Sequence, residues 1–261
     1  MNDQRPAATS QILAVVNQKG GVGKTTTAIN LGAGLGALER KVLLVDSDPQ
    51  GNASRGLGAE DDGPTLYDVL SDEVSAEDAV RPSGFPHLDL LPANRDLVGA
   101  EVEFVGQAGW ESQLRQRLSG VARNYEYVLI DCPPSLGHLT VMALCAANGV
   151  LVPIQCEYFA LEGVSELMTT VGTVRARLNP SLEIEGVLLT MYDDRTNLAR
   201  DVVREIQSHF ASEVFRTVVP RNVRLAEAPS HGISVLDYDI KSKGAQAYLA
   251  LAREVIARGM S

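Results

Sequence analysis

The segment from Ile12 to Leu38 constrains this chain more than any other. Ile12–Val16 is a short apolar run of strand length. Lys19-Gly-Gly-Val-Gly-Lys-Thr-Thr26 follows, and Thr25–Leu38 then carries an apolar helical pattern. A strand that runs through a glycine-rich turn into a helix is the first half of a βαβ unit, and it requires parallel neighbours. The rest of the chain supplies them. Lys41–Val45, Leu88–Leu91, Tyr127–Ile130, Gly149–Ile154, Ile184–Thr190 and Val214–Val219 are further candidate strands. Most are continuous apolar runs, as expected where a strand is buried on both faces. Helical patterns at Gln113–Val121, Thr140–Ala147, Leu161–Leu178, Leu198–Phe210 and Ala245–Arg258 alternate with them. The expected fold class is α/β, a single domain over 1–261 with a doubly wound, mostly parallel sheet. With 261 residues, 45% of them hydrophobic, a large core forms without disulfides or metal. Residues 1–11 are expected to be a flexible N-terminal segment.

The glycine-lysine turn is chemically specific. Glycines let the backbone curl until successive N–H groups point at phosphate oxygens, and the helix that follows adds its positive dipole end. A phosphate loop over Gly20, Gly21, Val22, Gly23, Lys24, Thr25 and Thr26 is therefore expected. Lys24 would reach the β- and γ-phosphates of ATP and the Thr25 hydroxyl would ligate Mg2+. The standard GxxxxGK[ST] spacing asks for glycine at position 18, where this chain has Gln18, and an additional lysine, Lys19, precedes the glycines. A second cation on a loop crowded with N–H groups is repulsive unless a further anion meets it. Two strands end in carboxylates, at Asp46-Ser-Asp48 and at Asp131. Open α/β sheets bind ligands at such strand ends. Asp131 suits Mg2+ held through water, with Asp48 nearby. Local pattern leaves open whether Asp46 or Asp48 orients an attacking water.

Charge and cysteine content narrow the setting. The formal charge is −10, and Glu60–Glu103 holds twelve acids against Arg81 and Arg95, which accounts for all of it. From Ser181 onward ten Lys/Arg face eleven Asp/Glu, so a local basic face is open to nucleic acid there. Cys132, Cys145 and Cys156 form no CxxC pair, which points to reduced, buried thiols in a cytoplasmic protein. No run approaches the roughly 18 apolar residues of a membrane span, and the first ten residues lack the apolar core of a signal peptide.

The segment Asn17-Gln-Lys-Gly-Gly-Val-Gly-Lys-Thr-Thr-Thr-Ala-Ile-Asn30 resembles the deviant Walker A motif of the ParA/MinD ATPases. Val45–Asn52, Asp131–Ser135, Gln155–Gly163 and Val219–Gly232 resemble the Soj-type, chromosome-partitioning ParA branch. The resemblance extends from Ile12 to Gly259. Ser47, His138 and Cys145 depart from the usual pattern without removing a catalytic group. The resemblance implies a P-loop NTPase fold and an ATP-dependent homodimer with two nucleotides between its subunits. In that arrangement Lys19 crosses to the partner's phosphates, which answers the repulsion noted above. It implies that Asp48 positions the hydrolytic water, with Lys19 and Lys24 assisting, and that Pro220 and Asn222 lie beside the adenine. It also implies weak intrinsic ATP hydrolysis, nucleoid association, and non-specific binding to double-stranded DNA. A ParB-type centromere-binding protein is the implied activator.

Arg195 and Arg224 occupy the matching positions for DNA contact, with Arg200, Arg204 and Arg221 as weaker candidates. A solvated charge or a local ion pair is the alternative reading of each. A MinD-like membrane-cycling ATPase would need a basic amphipathic end. Ala245–Ser261 is instead alanine-rich, with Arg253 and Arg258 as its cations, so no membrane partner is expected. Only 11 residues precede the first strand, which argues against an operator-specific repressor. A ParA-like ATPase positioning a plasmid, organelle or protein cluster would carry the same site.

Overall fold

The computed structural model describes residues 10–60, 62–104, 106–157 and 162–259. Its strands are β1 (Gln11–Val15), β2 (Val42–Asp46), β3 (Arg81–Pro82), β4 (Leu88–Leu91), β5 (Tyr127–Asp131), β6 (Gly149–Gln155), β7 (Glu183–Tyr192) and β8 (Val214–Pro220). They form one eight-stranded sheet in the order β3-β4-β2-β5-β1-β6-β7-β8. All pairings are parallel except β3 with β4. The helices are α1 (Lys24–Ala37), α2 (Asn52–Gly56), α3 (Leu66–Leu70), α4 (Ala76–Ala79), α5 (Leu97–Glu103), α6 (Gln113–Leu118), α7 (His138–Ala146), α8 (Glu162–Arg177), α9 (Asn197–Phe210), α10 (Arg224–Glu227), α11 (Val235–Tyr238) and α12 (Lys243–Arg258).

The doubly wound architecture follows from strand alternation. Leu13, Val15, Leu44, Leu129 and Leu151 face one side and pack with Ile29, Leu31, Leu35, Tyr248 and Leu251 of α1 and α12. Ala14, Leu43, Val45, Val128, Ile130 and Val152 face the other, against α3, α5, α6, α7, α8 and α9. Gly34 allows α12 to approach α1 closely: a Cβ there would lie 3.0 Å from the Tyr248 carbonyl oxygen and 3.1 Å from the Ala252 Cβ.

The expected sheet is present, with one addition. Arg81–Pro82 forms a two-residue antiparallel edge strand, where proline is tolerated because its missing N–H faces no neighbour. Six helices of four to seven residues (α2, α3, α4, α5, α10 and α11) were not expected from periodicity. Elements this short complete at most two turns and show no 3.6-residue pattern. Of the segment Gln155–Gly163, residues 158–161 lie outside the described residues, as do residues 1–9 of the expected N-terminal segment.

β1 is the centre of the sheet, between β5 and β6. The chain leaves it for β2 on one side and later crosses to β6 on the other. That reversal opens a crevice at the carboxyl ends of β1, β2 and β5. β2 and β5 each extend one residue beyond their apolar runs, so Asp46 and Asp131 sit opposite each other in the ladder, with Val15 paired to Asp131 on the far side.

Candidate active site

The turn after β1 is held open by its own polar groups. Asn17 fixes its start, donating from Nδ2 to the Pro153 carbonyl at 2.7 Å and accepting the Lys19 N–H at 2.9 Å. Gly21 and Gly23 adopt φ values of 75° and 92°, in the left-handed region that side chains disfavour. The Thr190 hydroxyl at the end of β7 donates to the Val22 carbonyl at 2.8 Å. That bond turns the carbonyl outward from the loop. Gly20, Gly21, Gly23, Lys24, Thr25 and Thr26 line a cleft of about 280 Å³, closed on other sides by Asp48, Asn52, Pro134 and Met191. Lys24 crosses this loop and donates from Nζ to the Lys19 carbonyl at 3.1 Å. Burial lowers its pKa, and the negative charge of Asp131 is the largest opposing influence.

Three carboxylates stand behind the loop with different duties. Asp46 is fully buried, and both its oxygens are engaged. Oδ1 accepts the Asp48 N–H at 3.1 Å, and Oδ2 accepts the Ser54 N–H at 2.8 Å and the Ser54 hydroxyl at 2.7 Å. Burial raises its pKa to about 6 against those hydrogen bonds. Asp46 is thus a brace for the loop and α2, and it does not line the cleft. Asp48 borders the cleft itself. Its Oδ1 accepts the Gln50 N–H at 2.9 Å. Of the two aspartates that local pattern could not separate, Asp48 is the one that lines the cleft.

Asp131 is different again. It is fully buried, and neither carboxylate oxygen closes a hydrogen bond. Burial, then the negative charge of Asp46, push its pKa well up, while the Thr25 hydroxyl in front of it favours the ionised form. A buried acceptor pair without a donor is costly unless something cationic or a hydrated ion completes it. Thr25 and Asp131 fit Mg2+ on that ground. Few protein ligands are needed, because Mg2+ keeps several waters and takes its remaining oxygens from phosphates. Among the described residues no cluster of three or more His, Cys, Asp or Glu could hold a metal by itself, which agrees with that mode.

A second cavity of about 350 Å³ adjoins the first, and the two share Gly23, Thr26 and Met191. Pro220 and Asn222 line it, together with Val219, Val223, Leu225 and Tyr248. The structure thereby brings these two residues beside the phosphate loop, although some 200 residues separate them in sequence. Thr26 supplies its carbonyl to Asn30 Nδ2 at 2.8 Å, and Asn30 Oδ1 accepts the Val235 N–H, tying α1 to α11.

The remaining candidates are cations at the surface. The Lys19 side chain is 43% exposed and its ammonium lies 3.9 Å from Glu157, which is also 4.0 Å from Arg221. Arg195 is 83% exposed and forms a two-point ion pair with Asp193, at 2.8 and 2.6 Å. Arg224 pairs with Glu227 at 2.7 Å and lies 3.5 Å from Asp239. Arg200 bonds Asn197, and Arg204 pairs with Asp201. Both principal arginines thus combine exposure with a local ion pair. Sequence reasoning did not single out Thr190, Met191, Asn52 or Tyr248. Thr190 and Met191 sit where the β7 run ends, the same strand-end signal that identified Asp131.

Comparison with known proteins supports the same reading. A family profile described as an AAA domain matches residues 10–184. The chain is 52% identical over 254 residues to the chromosome partitioning protein ParA of Myxococcus xanthus, covering 97% of this chain and 90% of that one. It is also 52% identical over 251 residues to the sporulation initiation inhibitor protein Soj of Bacillus subtilis, covering 95% and 99%. Among solved structures, cobyrinic acid a,c-diamide synthase from Mycobacterium smegmatis with bound ADP and magnesium superposes with a TM-score of 0.86 at 38% identity, covering 97% of this chain and 96% of that one. The partitioning relatives are the more similar in sequence over nearly full length, and their likeness extends past the phosphate loop to the strand ends that complete the site. The chain belongs to the ParA/Soj family of chromosome-partitioning ATPases, within the P-loop ATPases.

Proposed function

We propose that this chain is the ATP-operated switch of a chromosome-partitioning system, binding double-stranded DNA without sequence preference as an ATP-dependent homodimer. The observation that carries the reading is the Asp131 carboxylate, buried behind Thr25 with no hydrogen bond closed on either oxygen, set behind a glycine-rich loop whose cleft opens into a base-sized cavity. In this reading the loop N–H groups and Lys24 bind the phosphates, and Pro220 and Asn222 flank the adenine. Thr25 and, through water, Asp131 hold Mg2+, which would draw negative charge off the β- and γ-oxygens. Asp48, at the cleft wall, accepts a hydrogen bond from the attacking water and directs it at the γ-phosphorus. Lys24 neutralises charge that grows on the bridging oxygen. Water adds, ADP leaves, and phosphate carries the negative charge away.

Lys19 is half exposed and held only loosely by Glu157 at 3.9 Å, so its ammonium is available to a second phosphate tail. That supports its assignment to the partner subunit's nucleotide. No arginine lines the phosphate cleft among the described residues, which supports slow intrinsic hydrolysis and stimulation by a ParB-type partner. Arg195 and Arg224 are the proposed phosphate contacts to DNA. The test is binding to a random-sequence duplex at low and moderate salt with no nucleotide, ADP or ATP. Wild type should bind only with ATP, and Lys19→Ala should not bind. Asp48→Ala should bind with ATP and stay bound, because it cannot hydrolyse. Hydrolysis by wild type with no DNA binding in any nucleotide state would overturn the proposal.

A further inference from the structure

Among the described residues Met191 is the one non-glycine residue of the site with a left-handed backbone. It lies at the end of β7 with φ of 51°, in the left-handed region where a side chain is strained and where glycine or asparagine is the ordinary choice. Its neighbours hold it in place on both sides. Thr190 is fixed in front of it by the bond from its hydroxyl to the Val22 carbonyl, and by its own carbonyl, which accepts the Cys156 N–H at 3.1 Å. Tyr192 is fixed behind it, where its carbonyl accepts the Arg221 N–H at 3.0 Å. Met191 lines both cavities, the phosphate cleft and the one containing Pro220 and Asn222. Gly23 and Thr26, which also line both, belong to the phosphate loop itself. Met191 therefore faces the loop across the boundary between the two cavities.

We infer that Met191 is a substrate-positioning residue that packs on the sugar of the bound nucleotide. The inference rests on the nucleotide reading given above. In a nucleotide the sugar is what joins base to phosphates, so a group at the junction of the two cavities meets it. A thioether chain offers a flexible, polarisable apolar surface suited to the C–H face of a sugar. A polar chain there would compete with the loop for phosphate oxygens. Strain retained at a binding cleft is a mark of pre-organisation: the backbone turn aims the side chain before the ligand arrives.

Calorimetric titration of the full chain with ADP and with inorganic tripolyphosphate, both with Mg2+, tests this. Tripolyphosphate has phosphates and no sugar. Met191→Ala should weaken ADP binding roughly tenfold, the scale expected for removing an apolar chain of this size. It should leave tripolyphosphate affinity unchanged. Met191→Gly, which keeps the left-handed turn accessible without a side chain, should behave like Met191→Ala. Met191→Leu should restore most of the affinity. ADP binding in Met191→Ala or Met191→Gly equal to wild type would overturn the inference. So would a parallel loss for tripolyphosphate, which would place Met191 in the support of the loop. A wild type that binds tripolyphosphate but not ADP would overturn the nucleotide reading itself.

Discussion

Asp131 and Asp46 stand opposite each other in one ladder, are equally buried, and have contrasting hydrogen bonding. Three donors reach Asp46, and none closes on Asp131. A carboxylate that braces structure is satisfied within the chain, whereas one that waits for a hydrated cation is not. The free protein should therefore carry an instability at Asp131 that ligand removes. Asp131→Asn brings an amide with its own donors, and no cation is needed. Its melting temperature without nucleotide should equal or exceed wild type, since burial already disfavours the ionised form of Asp131 and the amide is neutral without taking up a proton. The rise in melting temperature that Mg2+ and ADP give wild type should shrink sharply in the variant. A thermal melt with and without that pair measures both effects. A variant less stable when free, yet equally stabilised by ligand, would make Asp131 a structural carboxylate like Asp46.

At the scale of elements, α12 is tied to the sheet by two charged side chains that the sequence does not mark, Glu254 and Arg258, the latter donating to the Glu185 and Val214 carbonyls at 2.8 and 3.2 Å. The register between β7 and β8 is irregular, jumping from Val187/Val214 to Leu189/Val218. The Arg216 and Thr217 N–H groups go instead to Glu254 of α12, at 2.8 and 3.0 Å, and Arg258 lies 3.3 Å from the same carboxylate. Burial works to raise the pKa of Glu254, but these two N–H groups, the Thr217 hydroxyl and then Arg258 outweigh it and hold it below the ordinary 4.5. A folded pKa below the unfolded one means stability that is present above about pH 4.5 and lost as pH falls through the folded value. Glu254→Gln turns an NH2 toward one strand N–H and should cost about 1 kcal/mol at pH 7 in urea unfolding. The gap from wild type should close as pH falls below 4.5 and through the folded value. A gap that is independent of pH would place the cost in packing.

The same pair of elements shows what was legible beforehand. The apolar runs of the strands and the 3.6-residue pattern of α12 are local signals, and they located the elements to within a residue or two. The glycine-lysine turn and Asp131 were legible because phosphate loops and strand ends impose a local spacing. The Glu254 attachment, the Thr190 bond to Val22 and the Met191 backbone turn depend on contacts across tens to well over a hundred residues. No periodicity records such contacts. What distinguishes Asp46 from Asp48 in the fold is Ser54, which bonds the Asp46 carboxylate, a contact that the local pattern does not record.

For the molecule as a whole the question is how a chain of charge −10 would hold DNA. The excess acids lie in residues 60–103, and the exposed arginines follow the carboxyl ends of β7 and β8. Each proposed contact must still leave its own carboxylate. Asp193 holds Arg195 in a two-point pair, and that contact pulls the Asp193 pKa down to about 2, so the pair stays charged at any pH at which the protein would be assayed. An exposed pair of this kind is weak because solvent screens it, so a phosphate can displace the carboxylate, yet the competition weakens binding. Asp193→Asn should therefore tighten ATP-dependent binding to duplex DNA by roughly three- to fivefold per protomer. Arg195→Ala should weaken it on every sequence alike. It should also make the plot of log affinity against log salt shallower by about 0.9 per arginine, near 1.8 for a dimer. Salt titrations of the three proteins with ATP decide the matter. An unchanged slope in Arg195→Ala, with no gain in Asp193→Asn, would show that this arginine serves only its neighbouring carboxylate. The DNA surface would then have to be built around Arg224.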